Sequence, residues 1–234
     1  MRVDVEVCVT SVAEAQAAER GGADTVELCS WRASGGITPS AGLIMAVQRG
    51  IRIPVRVLVR PTPHGFVHSE AEQEVLLADA QWIARSSPAP RLVTGGLKAD
   101  GSLDLRMMAP VRQWSTGAEL TFHKAIDAAV DPLSGLEHCL QAGVQRILTA
   151  GAAPTAFGGI VMLKAFTEAS RGKAVIAAAG GISAQDVVAI VEGTGVTEVH
   201  FAAQKAGPYD PARMVPDEAK VEAVMIALDK AGLR

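Results

Sequence analysis

Eight short runs rich in β-branched and aliphatic residues recur along the chain, at 3–9, 24–28, 53–60, 91–94, 118–123, 145–148, 174–178 and 197–201. A segment with helical spacing lies between each successive pair. Strand alternating with helix from end to end demands crossover connections, hence parallel pairing. Eight such units predict a single TIM-type (β/α)8 barrel, with an open doubly wound sheet as the alternative. The punctuation agrees with this reading. Ser11 with Glu14 and Ser69 with Glu72 read as capping boxes, Asp131 before Pro132 as N-cap and first helical residue, and Ser183 as a further N-cap. Gly22, Gly143 and Gly195 each follow a helix and lead into a strand, where a left-handed C-cap is expected. No Pro/Gly/Ser-rich linker interrupts the 234 residues, so one barrel domain is expected over 1–234.

The charges sit in unexpected places. Strands of a parallel barrel are covered on the outside by helices and should be almost uniformly apolar, yet several runs alternate. In the first, Val3, Val5, Val7 and Val9 share one face and Asp4, Glu6 and Cys8 the other. The third sets Val55, Val57 and Val59 against Arg56, Leu58 and Arg60, the fifth Leu120 and Phe122 against Thr121 and His123, and the eighth Val199 against Glu198 and His200. Valine faces belong against the helices, which turns the polar faces into the barrel. Burial of charge is costly unless it is paired. Glu6, Glu27 and Arg60 are therefore expected to form a hydrogen-bonded network with His123 and His200 beside it, while Asp4, Arg56 and Glu198, early in their strands, are expected to be structural.

Barrel chemistry lies at the C-terminal face, where Glu27, Arg60, His123 and His200 fall. Asp127 could orient His123 or add a carboxylate. Gly180 and Gly181, after the seventh run, offer backbone amides to an anion. His64 and His68 fall in the loop after the third run. Cys8 and Cys29 end neighbouring strands on the inferred inner face, so their sulfurs could meet and take a soft ion such as Cu(I). Packing is the competing reading for both, and the expected one for Cys139. Three cysteines without a CxxC pair argue against a disulfide framework and for a reducing compartment. With 22 basic and 25 acidic residues the net charge is -3, which leaves no footprint for nucleic acid. No run approaches about 18 uncharged apolar residues, so a soluble, cytoplasmic protein without membrane association is expected. The sequence leaves a homo-oligomer open.

Taken in order, the motifs resemble a known family. Glu6-Val7-Cys8-Val9, the stretch from Gly21 to Ser30, Gly35-Gly36-Ile37-Thr38-Pro39-Ser40, Val59-Arg60-Pro61, Thr121-Phe122-His123-Lys124-Ala125-Ile126-Asp127, Arg146-Ile147-Leu148-Thr149 and Glu198-Val199-His200 are similar to those of the CutC family of copper homeostasis proteins. The resemblance implies a TIM-type barrel, a cytoplasmic location and a Cu(I) role for Cys8 and Cys29. Departures fall in the loops: Thr62-Pro63-His64-Gly65-Phe66 stands where relatives carry Arg-Gly-Gly-Asp-Phe, and Ser34, Lys124 and His68 replace the usual Glu, Arg and Tyr. A kept strand core with changed loops suggests a shared reaction core with a different ligand, or a relic barrel whose ligand site has drifted.

Two functions follow. The first is a copper homeostasis protein holding Cu(I) through Cys8 and Cys29. The second is an isomerase, lyase or hydrolase acting on a small anionic or sugar-like molecule by acid/base chemistry. In it Glu27 and His123 serve as base and acid, Arg60 holds the anion, His200, Glu6 and Asp127 assist, and Gly180 and Gly181 supply amides.

Overall fold

The computed structural model describes residues 2–86, 91–114, 119–210 and 214–234. Eight parallel strands, β1 (Asp4–Val9), β2 (Thr25–Leu28), β3 (Val55–Leu58), β4 (Arg91–Thr94), β5 (Leu120–Phe122), β6 (Arg146–Thr149), β7 (Val175–Ala179) and β8 (Glu198–Ala202), follow one another in spatial order. The pairing of β1 with β8 closes the barrel, which excludes the open sheet. Around it run α1 (Val12–Arg20), α2 (Ala41–Gly50), α3 (Glu70–Ser86), α4 (Met108–Trp114), α5 (Pro132–Gln141), α6 (Ile160–Ser170), α7 (Val187–Thr194) and α8 (Glu218–Lys230). A short antiparallel pair, β9 (Gln204–Ala206) and β10 (Met214–Pro216), lies between β8 and α8 and was not foreseen from the sequence.

All eight predicted runs contain a strand, with ends displaced by up to two residues. Ala118, the first residue of the fifth run, lies outside the described residues. Arg60 and His123 stand just past the ends of β3 and β5, already in the loops of the C-terminal mouth.

The caps explain where the helices start. Ser11 Oγ accepts from the Glu14 amide, whereas the Glu14 carboxylate reaches one residue further back than a capping box requires, to the Thr10 N–H. Ser69 and Glu72 form the full reciprocal box. Asp131 accepts from the Ser134 amide, with Pro132 opening α5. Ser183 departs from expectation: α7 begins at Val187 after Asp186, and the Ser183 N–H instead donates to the Asp186 carboxylate in the turn before the helix. Gly22, Gly143 and Gly195 all have φ between 73 and 91°, as a glycine C-cap predicts.

Val3, Val5, Val7 and Val9, all at most 1% exposed, join the large core between barrel and helices. Inside the barrel two small apolar groups, Cys8, Cys29, Leu58 and Val93 with Ala202, and Leu148 with Ala177 and Ala179, are separate from that core. Alternation along the strands therefore has the predicted sense: valines outward, polar groups inward.

Candidate functional site

The barrel floor is an ionic cluster. Glu6, with no exposed surface, accepts from Arg56 at 2.6 Å, from Arg146 at 2.6 Å and from Thr25 at 3.2 Å, and pairs with His200 Nδ1 at 2.8 Å. Glu198 accepts from both arginines, at 2.9 Å from Arg56 and 2.7 Å from Arg146. Arg56 also donates to Glu119 at 2.7 Å. Two carboxylates and two guanidiniums thus balance within the buried layer, which is what makes the burial tolerable. Burial resists ionisation of Glu6, but the charges of Arg146 and Arg56 and the His200 hydrogen bond overcome it and hold the carboxyl well below its usual range.

This network differs from the expected one. Arg60 takes no part in it: its guanidinium donates to the carbonyls of Ser34, Gly36, Pro63 and Gly65 and lies 5.0 Å from the centre of the Phe66 ring. It ties the loop after β2 to the loop after β3. Glu27 likewise has no arginine partner, and its Oε2 is buried without a hydrogen bond. The residue that takes their place is Arg146, fully buried on β6. Its signal was present in the alternation of Arg146 and Leu148 with Ile147 and Thr149, the same pattern that marked β3.

Two residues further along each strand the interior opens into a cavity of about 490 Å³ at the C-terminal mouth. Among its lining residues are Cys8, Glu27, Cys29, Arg60, His123, Asp127 and His200, so seven of the sequence candidates converge on one space. Glu6 lies beneath it. Gly180 and Gly181 are not among the lining residues; both have positive φ, and α7 begins six residues beyond Gly181. His68 is buried but outside the lining, and His64 is exposed. Arg32, Phe66, Lys124 and Leu148 line the cavity without having been singled out as ligands.

The chemistry of each wall differs. On the β1–β2–β8 side the sulfurs of Cys8 and Cys29 stand 3.7 Å apart, both as free thiols. A Cys8 sulfur, a Glu27 oxygen and a His200 ring nitrogen lie within 4.8 Å of one another. Hydrogen bonding with Cys29, then burial, push the Cys8 thiol well above its usual range. Burial disfavours charge on His200, but Glu27, Cys8 and Glu6 reverse this and raise its pKa to about 10, so it is an imidazolium at neutral pH. Burial raises Glu27, with the Glu6 charge adding to the effect and His200 opposing it.

On the β5 side, His123 Nδ1 accepts from the Ala125 N–H at 3.2 Å, and burial, aided by the Arg60 charge, lowers its pKa to about 3. Its ring stands 5.3 Å from that of Phe66. Asp127 does not orient His123: it accepts from the Thr149 hydroxyl and the Ala150 and Ala152 amides, which fixes the loop after β6. Cys139 is fully buried on α5, and burial takes its thiol to about 12. Among the described residues no helix is long and apolar enough to cross a membrane.

Comparison with known proteins places this architecture. Residues 3–205 match the CutC family model. The human copper homeostasis protein cutC homolog is 40% identical over 200 residues, 86% of this chain and 73% of that one. The family protein CutC of Agrobacterium fabrum is 36% identical over 98% of this chain and 91% of its own. The crystal structure of CutC from Streptococcus agalactiae, 26% identical, superposes with a TM-score of 0.79 over 85% of this chain and 98% of that one. Phosphoribosylanthranilate isomerase from Thermotoga maritima, at 13% identity and a TM-score of 0.60 over 97% of this chain and 99% of its own, shares the barrel fold alone. The match over 3–205 and the identity to its relatives make this closed barrel a member of the CutC family, a homologue of the copper homeostasis proteins.

Proposed function

We propose that the protein binds Cu(I) as cargo in the reducing cytoplasm, with Cys8 and Cys29 as thiolate ligands. The observation that carries this reading is the approach of two buried free thiols to 3.7 Å at one wall of an accessible cavity. With metal–sulfur bonds of roughly 2.3 Å, that separation corresponds to an S–metal–S angle of about 107°. A linear two-coordinate ion would need the sulfurs farther apart. The spacing suits a three- or four-coordinate ion, and of the neighbouring donors His200, once it gives up its imidazolium proton, suits soft Cu(I) better than the Glu27 carboxylate. The Cys8 thiol is held protonated before binding, so loading releases a proton.

Titration of the metal-free protein with Cu(I) against a chromophoric Cu(I) chelator tests this. One bound ion, proton release on loading and a loss of roughly 100-fold or more in affinity in Cys8→Ser/Cys29→Ser are expected. Unchanged affinity in that variant overturns the reading.

A further inference from the structure

The copper reading leaves two groups of the cavity lining unexplained, His123 on the β5 wall and Glu27 beside the proposed copper ligands. His123, 4% exposed, has no partner at Nε2, and Glu27, 5% exposed, has none at Oε2. Buried polar atoms are nearly always satisfied. Three orphans, Glu27 Oε2, His123 Nε2 and Arg60 Nε, belong to residues lining one cavity, and the first two point to a ligand that supplies an acceptor to the imidazole and a donor to the carboxylate.

The kind of the histidine orphan is fixed by its surroundings. The Ala125 amide donates to His123 Nδ1, so that nitrogen carries no proton and the neutral ring bears its hydrogen on Nε2. Burial beside Arg60 keeps the ring neutral. His123 therefore offers a donor to a ligand oxygen and is a poor proton acceptor. Glu27 offers a carboxylate oxygen, and its side chain comes from β2, three strands around the barrel from β5. A neutral imidazole donor set against a carboxylate base is an established pairing for abstraction of a proton next to a carbonyl.

The cations of the lining are not equivalent. Arg32 is bonded to Glu14 and to the Cys8 carbonyl, and Arg60 to four carbonyls. Lys124 forms a loose ion pair with Asp127 at 3.8 Å, beyond hydrogen-bond range, and so keeps hydrogen-bond donors for an anion. The cavity volume suits a small metabolite.

We propose that this cavity is a proton-transfer site for a small α-hydroxycarbonyl compound with an anionic end, with His123 holding the carbonyl oxygen, Glu27 as base and Lys124 binding the anion. Glu27 removes the hydrogen from the hydroxyl-bearing carbon. The C–H electron pair becomes the carbon–carbon double bond of an enediolate, and the carbonyl π pair moves to the oxygen held by the His123 Nε2–H. The hydroxyl proton passes to that oxygen, the second oxygen becomes the new carbonyl, and Glu27 returns its proton to the neighbouring carbon. The net change is an aldose–ketose isomerisation that needs no co-reactant. Arg60 serves as a positioning residue, through Phe66, for the His123 ring.

The test is deuterium incorporation, followed by NMR in D2O, into three- to six-carbon aldoses and ketoses with and without a terminal phosphate. A Cu(I) chelator is present throughout, so the result is independent of copper. Exchange at the carbon next to the carbonyl, favouring phosphorylated compounds, is expected. Glu27→Gln should reduce it by roughly 10²–10⁴-fold. His123→Gln, which keeps an N–H donor, should retain more than His123→Leu. Lys124→Gln should lower kcat/KM for phosphorylated compounds more than for their unphosphorylated counterparts. Absence of exchange across the whole set, or wild-type exchange in a folded Glu27→Gln protein, overturns the inference. Exchange without Cu(I) binding would retain this site and remove the copper reading; the converse would do the reverse.

Discussion

Replacing Arg146 with methionine tests whether the ionic floor holds the barrel together. The guanidinium is fully buried and donates to Glu6 at 2.6 Å and to Glu198 at 2.7 Å. Methionine fills much of its volume but leaves two buried carboxylates sharing one guanidinium, Arg56, with His200 beside Glu6. Breaking a buried pair by removing one partner costs about 3–5 kcal/mol, most of it from the charge left behind. At about 2–4 °C per kcal/mol for a chain of this size, Tm should fall by roughly 6–20 °C.

The pH dependence gives a second handle. Glu6 is depressed in the native state, so its contribution is present above the ordinary carboxylate range and is lost as pH falls through its native value. Without Arg146 the carboxyl is held down less firmly. The deficit of the variant should thus be full at pH 7 and narrow below about pH 4. Urea denaturation at both pH values measures it. Arg146→Met/Glu198→Gln restores charge balance and should recover stability, with a coupling of at least about 1 kcal/mol. A penalty below about 1 kcal/mol at pH 7, or a double variant as unstable as the sum of its parts, would refute the role given to this cluster.

Histidine NMR should find His200 protonated through pH 8 and His123 neutral down to about pH 3, with its proton on Nε2. Because the native pKa of His200 is raised, the stability it contributes is complete below about 6.5 and is lost as pH climbs through about 10; titration of His200 near 6.5 would contradict the charge assignment. At the start of α3, Ser69→Ala removes the cap that Glu72 reciprocates and should cost about 1 kcal/mol in thermal unfolding, while an unchanged Tm would show the box to be dispensable.

Much of this protein is legible in the order of its residues because barrel strands obey a period of two. Val3, Val5, Val7 and Val9 could only cover one face, and that face could only meet helices, so the inward direction of Glu6, His123 and His200 followed without coordinates. The strand count, the glycine C-caps and the Ser69 box were readable for the same reason: each is a local pattern with a local cause. Pairing was not readable. Arg60 and Arg56 sit on the same face of one strand, and nothing in the alternation says that Arg56 meets Glu6 and Glu198 while Arg60 binds loop carbonyls. That choice depends on height in the barrel.

The sequence by itself determined the alternation of strand and helix, the family and the set of polar side chains that turn away from the helices. Only the tertiary structure decided which of them neutralise one another and which are left facing a cavity. Arg146 arrives at Glu6 from 140 positions away, and Glu27 Oε2 and His123 Nε2, three strands apart, are left without partners. Periodicity fixes the direction of a side chain along its own strand, whereas partnership depends on the stagger between strands, which exists only once the barrel has closed.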